Sequence, residues 1–359
     1  MSDKTDEVVR RTIELAEVPA PTGFEQERTS IVRSWWERDG LTDVHTDEIG
    51  NVWGRVREGG GPAVILCAHL DTVFGDDVPH EVRVDGDRLI GPSVGDDSVG
   101  VAALSTAARS LSDGRLPVWV LATVGEEGLG NLRGVMAALD APPAPMGAFV
   151  AVEGNYLGRV STVGVGSVRC RVRLIGPGGH PWEDRDAPSA VHEAARLVAA
   201  IAAIHARAGT AANVGRLGGG EGINMRAREA WFEIDLRADD PAELGALVRE
   251  VDDLLAGVEP RLAIEQEVLG SRPAGRIGSE HPLVTAACHA LAEANVPVAS
   301  PATSTDANAA HARGIPAIAI GVTNGSGEHT AQEWIDTRPI GSGLRALART
   351  VDRFEELTA

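Results

Sequence analysis

Lysine is almost missing from this chain of 359 residues: Lys4 is the only one, and arginine carries nearly all of the positive charge. That is a trait of genome composition, not a mechanism. Positive charge is short overall, with 33 Lys and Arg against 52 Asp and Glu and a formal net charge of −19. A generic nucleic-acid binder needs a basic face to neutralise phosphates, so the balance argues against that class. It argues equally against an anionic membrane surface as partner. Cysteine is scarce too: Cys67, Cys170 and Cys288 are odd in number and far apart. They read as buried, reduced thiols, not as a disulfide framework or a thiolate metal site. No run reaches the roughly 20 apolar residues that span a bilayer. The opening segment MSDKTDEVVRRTIELAEV is charged and periodic, without the apolar core of a signal peptide. The expected location is the cytoplasm.

What is present is a globular composition, 43% hydrophobic, at a length that favours two domains over one core. Residues 4–17 and 24–39 read as amphipathic helices, and VHTDEIGNVWGRV (44–56) as a hairpin turning at Gly50-Asn51. Four short apolar runs show no alternation: AVILCA (63–68), VWVLATV (118–124), AFVAV (148–152) and AIAIG (317–321). Such runs fit strands buried on both faces, as in an α/β fold whose mixed, largely parallel sheet is covered by helices. Covering helices are expected at 98–111, 281–294 and 340–357. The middle of the chain reads as strand 166–175, helix 188–208, strands 211–218 and 228–237, helix 241–255 and strand 261–268. That β-α-β-β-α-β order makes a small antiparallel α+β unit, complete in itself. The expected organisation is therefore an insertion. Residues 1–161 and 276–359 form one discontinuous domain, and 162–275 a second.

Each apolar run delivers an acid or a histidine. AVILCA is followed by His69 and Asp71, VWVLATV by Glu126 and Glu127, AFVAV by Glu153, and AIAIG by a loop holding Glu328 and His329. The loop GPSVGDDSVG adds Asp96 and Asp97 just before a helix. In open α/β sheets ligands bind at the carboxyl ends of strands. Imidazole with carboxylates suits zinc and other borderline cations. The carboxylates outnumber the needs of one tetrahedral ion, which points to two ions about 3.5–4 Å apart sharing a bridging carboxylate. His69 and Asp71, two apart on a strand, share a face, so Asp71 can hold the second imidazole nitrogen. Adjacent residues leaving a strand diverge. One of Glu126 and Glu127 can then bind metal while the other takes a proton from the metal-activated water and passes it to a leaving nitrogen. The bland readings are a solvated pair for Glu126-Glu127 and a helix cap for Asp96, with Asp97 as the ligand instead. GPGGHP lacks the spacing and following helix of a dinucleotide loop.

The stretches AHLDTV, SVGDDSVGVAAL, TVGEEGLGN, STDANAAHARGIPAIAIG and GEHTAQEWI together resemble the motifs of the M20 metallopeptidases, across nearly the whole chain. DRLIGPSVGDDSVG and GPGGHPW look closest to the peptidase T-like branch. The resemblance implies a catalytic domain of zinc-exopeptidase type with the insertion as a lid or dimerisation domain. It implies two zinc ions, with cobalt or manganese as substitutes: His69, Asp96 and Glu153 on one, and Asp96, Glu127 and His329 on the other. Asp96 bridges, as the first acid of its motif. Glu126 is the implied general base. His180 in GPGGHPW matches the lid histidine, which in dimeric members reaches the neighbouring subunit's site. Asn224 in GGGEGINMRA and Arg272 in GSRPAG match substrate-binding positions, Arg272 at a carboxylate. The implied substrate is a short peptide, cleaved as by a di- or tripeptidase. Glu153 stands where peptidases often have Asp and deacylases Glu, so an N-acyl-amino-acid deacylase is the alternative. A non-catalytic binding member is the more remote one. The expected assembly is a homodimer through the lid.

Overall fold

A computed structural model describes residues 2–75, 77–111, 113–204 and 207–359. It divides into two compact units, Met1–Gly164 with Arg276–Ala359, and Val165–Gly275.

The first unit is built on a seven-stranded sheet. In spatial order its strands are Thr42–Thr46, Val52–Arg57, Val118–Thr123, Ala63–His69, Met146–Glu153, Ala317–Gly321 and Val160–Ser161. The four strands from Val118–Thr123 to Ala317–Gly321 run parallel, and the outer pairings are antiparallel. All seven residues of Ala63–His69 are buried. The period of two explains how. Val64, Leu66 and Ala68 enter one core, and Ala63, Ile65 and Cys67 the other. Helices Ser2–Ala16, Gln26–Arg38, Val99–Ala108, Pro282–Glu293 and Ile340–Leu357 contribute to the first core, and Arg133–Asp140 and Ala307–Ala312 to the second. The last long helix shows why its sequence folds this way. Ile340, Leu344, Leu347, Val351 and Phe354 recur every three or four residues, and all are buried. The hairpin expected at Gly50-Asn51 is formed by Thr42–Thr46 and Val52–Arg57, with the Asp47 carboxylate accepting from the amides of Ile49, Gly50 and Asn51.

A second, small sheet was not anticipated. It pairs Asn324–Ser326, Trp334–Asp336, Arg88–Ile90 and Arg83–Asp85, all antiparallel. It fixes both ends of the loop that carries Glu328 and His329.

The inserted unit is a four-stranded antiparallel sheet, in the order Thr210–Gly219, Glu229–Ala238, Gly166–Ile175 and Ala263–Arg272. Along Glu229–Ala238 every second residue is buried, placing Ala230, Phe232, Ile234 and Leu236 in a core with helices Ala190–Ala202 and Pro241–Ala256. Cross-strand ion pairs such as Arg171–Glu233 and Arg173–Glu229 decorate the sheet. The helix expected over 188–208 is Ala190–Ala202, and residues 205 and 206 lie outside the described set. The last strand runs on to Arg272 instead of stopping at 268. Among the described residues no helix is long and apolar enough to cross a membrane.

Candidate metal centre

His69 is the last residue of its strand, and its ring is buried. Its Nδ1 lies 3.0 Å from the backbone oxygen of Asp71, and its Nε2 lies 2.9 Å from Asp96 Oδ1. A carbonyl only accepts, so Nδ1 carries the proton there, and Nε2 is the atom left for coordination once the ring is neutral.

Asp71 stands behind the imidazole as expected, and it does more than that. Its carboxylate stands 3.6 Å from His69 Nδ1 and accepts from the amides of Glu126 and Glu127, each at 2.9 Å, and from the Thr22 hydroxyl at 2.8 Å. One fully buried carboxylate thus clamps the backbone of the Glu126-Glu127 pair. The chain turns into that pair at Gly125, whose φ of +67° favours glycine. A carboxylate oxygen of Glu25 accepts from the Gly125 amide at 3.1 Å. Both Glu126 and Glu127 are 6% exposed, which overturns the reading of a solvated pair.

Asp96 sits between the two histidines. His329 Nε2 lies 3.2 Å from Asp96 Oδ2 and 3.3 Å from Glu127 Oε1. Asp97 is fully buried and turned away, accepting from the amides of Gly154 at 2.7 Å and His69 at 3.2 Å. It therefore braces two of the surrounding segments. Three groups of ligand atoms lie within 4.8 Å of one another: His69, Asp96 and Glu153; Asp96, Glu127 and His329; and His69, Glu126 and Glu127. The first two share Asp96.

The electrostatics show what such a cluster lacks. Hydrogen bonds to Asp96 and Glu127 push the His329 pKa up to about 10, against its partial burial. Burial works against a charged His69, yet hydrogen bonds to Asp71 and Asp96 and the charges of Asp96 and Asp97 carry its pKa well above the ordinary value. Burial also opposes ionised Asp96, but the two histidines outweigh it and hold that carboxyl well below the usual range. For Glu153 the charge of His69 acts the same way but does not prevail. Burial, followed by the charge of Asp97, drives its pKa well upward. Buried carboxylates in this number require cations. The donor set is two imidazoles with four carboxylates, which suits borderline divalent ions and fits the expected pair.

Sequence reasoning missed Glu333. It is fully buried, and its Oε1 accepts from the amides of Gly95 at 2.9 Å and Asp96 at 2.8 Å, holding the loop of the shared carboxylate. Burial, then the charge of Asp96, raises its pKa to about 8. No spacing rule marks an acceptor that meets its amides across more than 200 residues of chain.

The other three expected site residues belong to the inserted unit. His180 is exposed, and its Nδ1 accepts from the amides of Trp182 and Glu183, both at 3.4 Å, leaving the neutral ring's proton on Nε2. Asn224 is exposed in a loop, and Arg272 is buried at the end of its strand.

Comparison with known proteins agrees with this architecture. The family described as peptidase family M20/M25/M40 matches residues 65–353. Aminopeptidase PepT from Bacillus cereus superposes with a TM-score of 0.83 at 20% identity, covering 98% of both chains. The Bacillus subtilis YXEP protein, described as a dinuclear metal-binding peptidase of the M20 family, gives 0.73 at 16% identity, also over 98% of both. These two show the fold. A protein of Pyrococcus abyssi, named provisionally as a LysW-lysine/LysW-ornithine hydrolase, is 41% identical over 86 residues. The match spans 24% of this chain and 24% of that relative.

Proposed function

Because the chain belongs to peptidase family M20/M25/M40, we propose that it is a metal-dependent hydrolase that cleaves an amide bond in a short peptide. The observation that carries this reading is the pair of ligand groups sharing Asp96. We assign His69, Asp96 and Glu153 to one zinc ion and Asp96, Glu127 and His329 to the other. When bound, the ions supply Lewis acidity towards the amide carbonyl and make a water in the site more acidic. The residues of the chain do the rest. Glu126 reaches the same cluster yet belongs to neither group that shares Asp96, which suits a base instead of a ligand. Its carboxylate takes the proton of the attacking water as oxygen bonds to the carbonyl carbon, then delivers it to the nitrogen as the C–N bond breaks. Asp71 holds Glu126 and Glu127 in register through their amides. His180, Asn224 and Arg272 are assigned to the substrate, a role that rests on the motif resemblance alone.

The second reading is an N-acyl-amino-acid deacylase. It is favoured by Glu153 at its motif position and by the relative named for hydrolysis of LysW-linked lysine and ornithine. One experiment separates the two. Zinc- or cobalt-loaded protein is assayed against di- and tripeptides and against N-acyl amino acids, with Glu126→Gln as the control. Turnover of peptides supports the first reading, turnover of acyl amino acids the second. No turnover of either by a fully metallated protein refutes both.

A further inference from the structure

One carboxylate beside the cluster is used by none of the steps above. A cavity of about 180 Å³ is lined by Gly95, Asp96, Glu153, Asn155, Glu328 and His329, among others. Within it Glu328 is held by two donors. Asn155 Nδ2 donates to Glu328 Oε1 at 3.0 Å, and the hydroxyl of Tyr156 hydrogen-bonds to the same side chain.

The surroundings fix this carboxylate firmly. Asn155 is only 2% exposed. A Cβ at Gly95 would stand 2.1 Å from its Nδ2, and one at Gly325 would stand 2.2 Å from its Oδ1, so two glycines make room for this one amide. With Nδ2 turned to Glu328, Oδ1 has no hydrogen-bond partner among the described residues. The amide therefore accepts an unmade bond in exchange for the one to Glu328. Tyr156, the only tyrosine of the chain, lies with the Arg159 guanidinium 3.6 Å from its ring centroid. Its own backbone is left-handed, with φ of +70°. Such strain in a non-glycine residue persists only where the surroundings hold it.

We propose that Glu328 anchors an ammonium group of the substrate, so that this hydrolase prefers substrates with a free amine. The proposal rests on reading the neighbouring cluster as the catalytic centre. Asn155 and Tyr156 already donate to the carboxylate, and it belongs to none of the three groups of ligand atoms; a compact N–H donor cation suits its remaining lone pairs. The chain position gives the reach. His329 follows directly, and consecutive Cα atoms are about 3.8 Å apart. Glu328 and His329 also line the same cavity, so an amine held at Glu328 lies beside the proposed centre. Two sources share this chemistry: the α-ammonium of a peptide and the side-chain ammonium of a lysine- or ornithine-like residue.

Calorimetric binding to the zinc-loaded protein tests this independently of turnover. In the Glu126→Gln background, trialanine is compared with N-acetyl-trialanine, and lysine with norleucine, before and after Glu328→Gln. The isosteric amide keeps an oxygen for Asn155, and metal analysis checks that the ions remain. The expected result is a preference of about 10- to 100-fold for the charged member of one pair, the size of a charge-assisted hydrogen bond. Glu328→Gln should collapse that ratio to within about twofold. The pair that responds identifies which amine is bound. Equal binding within both pairs, or a preference that survives Glu328→Gln, overturns the proposal. Failure of the wild-type protein to hydrolyse any amide counts instead against the catalytic reading, and the binding ratios stand apart from it.

Discussion

Asp71→Asn is the sharpest perturbation of the centre that leaves every proposed ligand in place. The wild-type carboxylate is fully buried and accepts two amides and one hydroxyl, at 2.9, 2.9 and 2.8 Å. Asparagine keeps a single acceptor oxygen and brings an NH₂ where an amide N–H already points. At least one buried donor then loses its partner, at about 1–3 kcal/mol, and the surviving bonds lose the assistance of charge. The expected loss is about 2–4 kcal/mol of stability in the metal-free protein, read from denaturant midpoints at unchanged slope. The functional loss should be disproportionate, because the clamped amides belong to the proposed base and to a proposed ligand. A displacement of about 1 Å at such groups costs about 10²-fold in turnover. Thr22→Val removes only the third donor and should cost about 0.5–1.5 kcal/mol, giving a graded pair. An Asp71→Asn protein within about 0.5 kcal/mol of wild type and fully active would refute the clamp.

Glu126→Gln should retain metal and fold while losing about 10²–10⁴-fold in kcat; metal analysis and kinetics on one sample check this, and near-normal turnover removes Glu126 from the chemistry. Asp96→Ala should strip more metal than His69→Ala, because Asp96 belongs to both groups; full metal content in Asp96→Ala removes the bridge. Metal-free protein should lose stability as pH rises from about 5 to about 9. His329 at about 10 and Glu333 at about 8 both titrate above their unfolded values, so the folded state holds the extra protons and the slope is negative. Melting temperatures against pH in chelator should fall and those with zinc should not; a flat curve in chelator contradicts the charge arrangement. A protein in which a short linker joins residues 164 and 276 should fold and bind metal, because no described residue of 165–275 contributes to either core of the first unit, but it should fail to turn over, having lost the residues assigned to the substrate. Loss of metal binding in a folded deletion would show that the insertion holds the site.

The parallel strands were legible because burial on both faces erases polar positions, and AVILCA or AIAIG carries that signature within a few residues. The acids were legible for a related reason: a buried strand that ends abruptly in His69 or Glu153 places a charged group where burial is costly, and that cost calls for a ligand. What the supporting acids hold was not legible, because their partners are backbone amides. Asp71 was legible behind the imidazole from its spacing, but not its bonds from the amides of Glu126 and Glu127, which arrive from a different strand. Glu333 serves Gly95 and Asp96 by way of a small antiparallel sheet that pairs Trp334–Asp336 with Arg88–Ile90. Three-residue strands carry too little periodicity to be read from a sequence. The same holds for Glu328, whose two donors, Asn155 and Tyr156, arrive from a distant part of the chain. Donor types that coordinate a metal are written in the residue letters, whereas acceptors that aim those donors depend on where backbone N–H groups point, and that direction exists only once the sheet has formed.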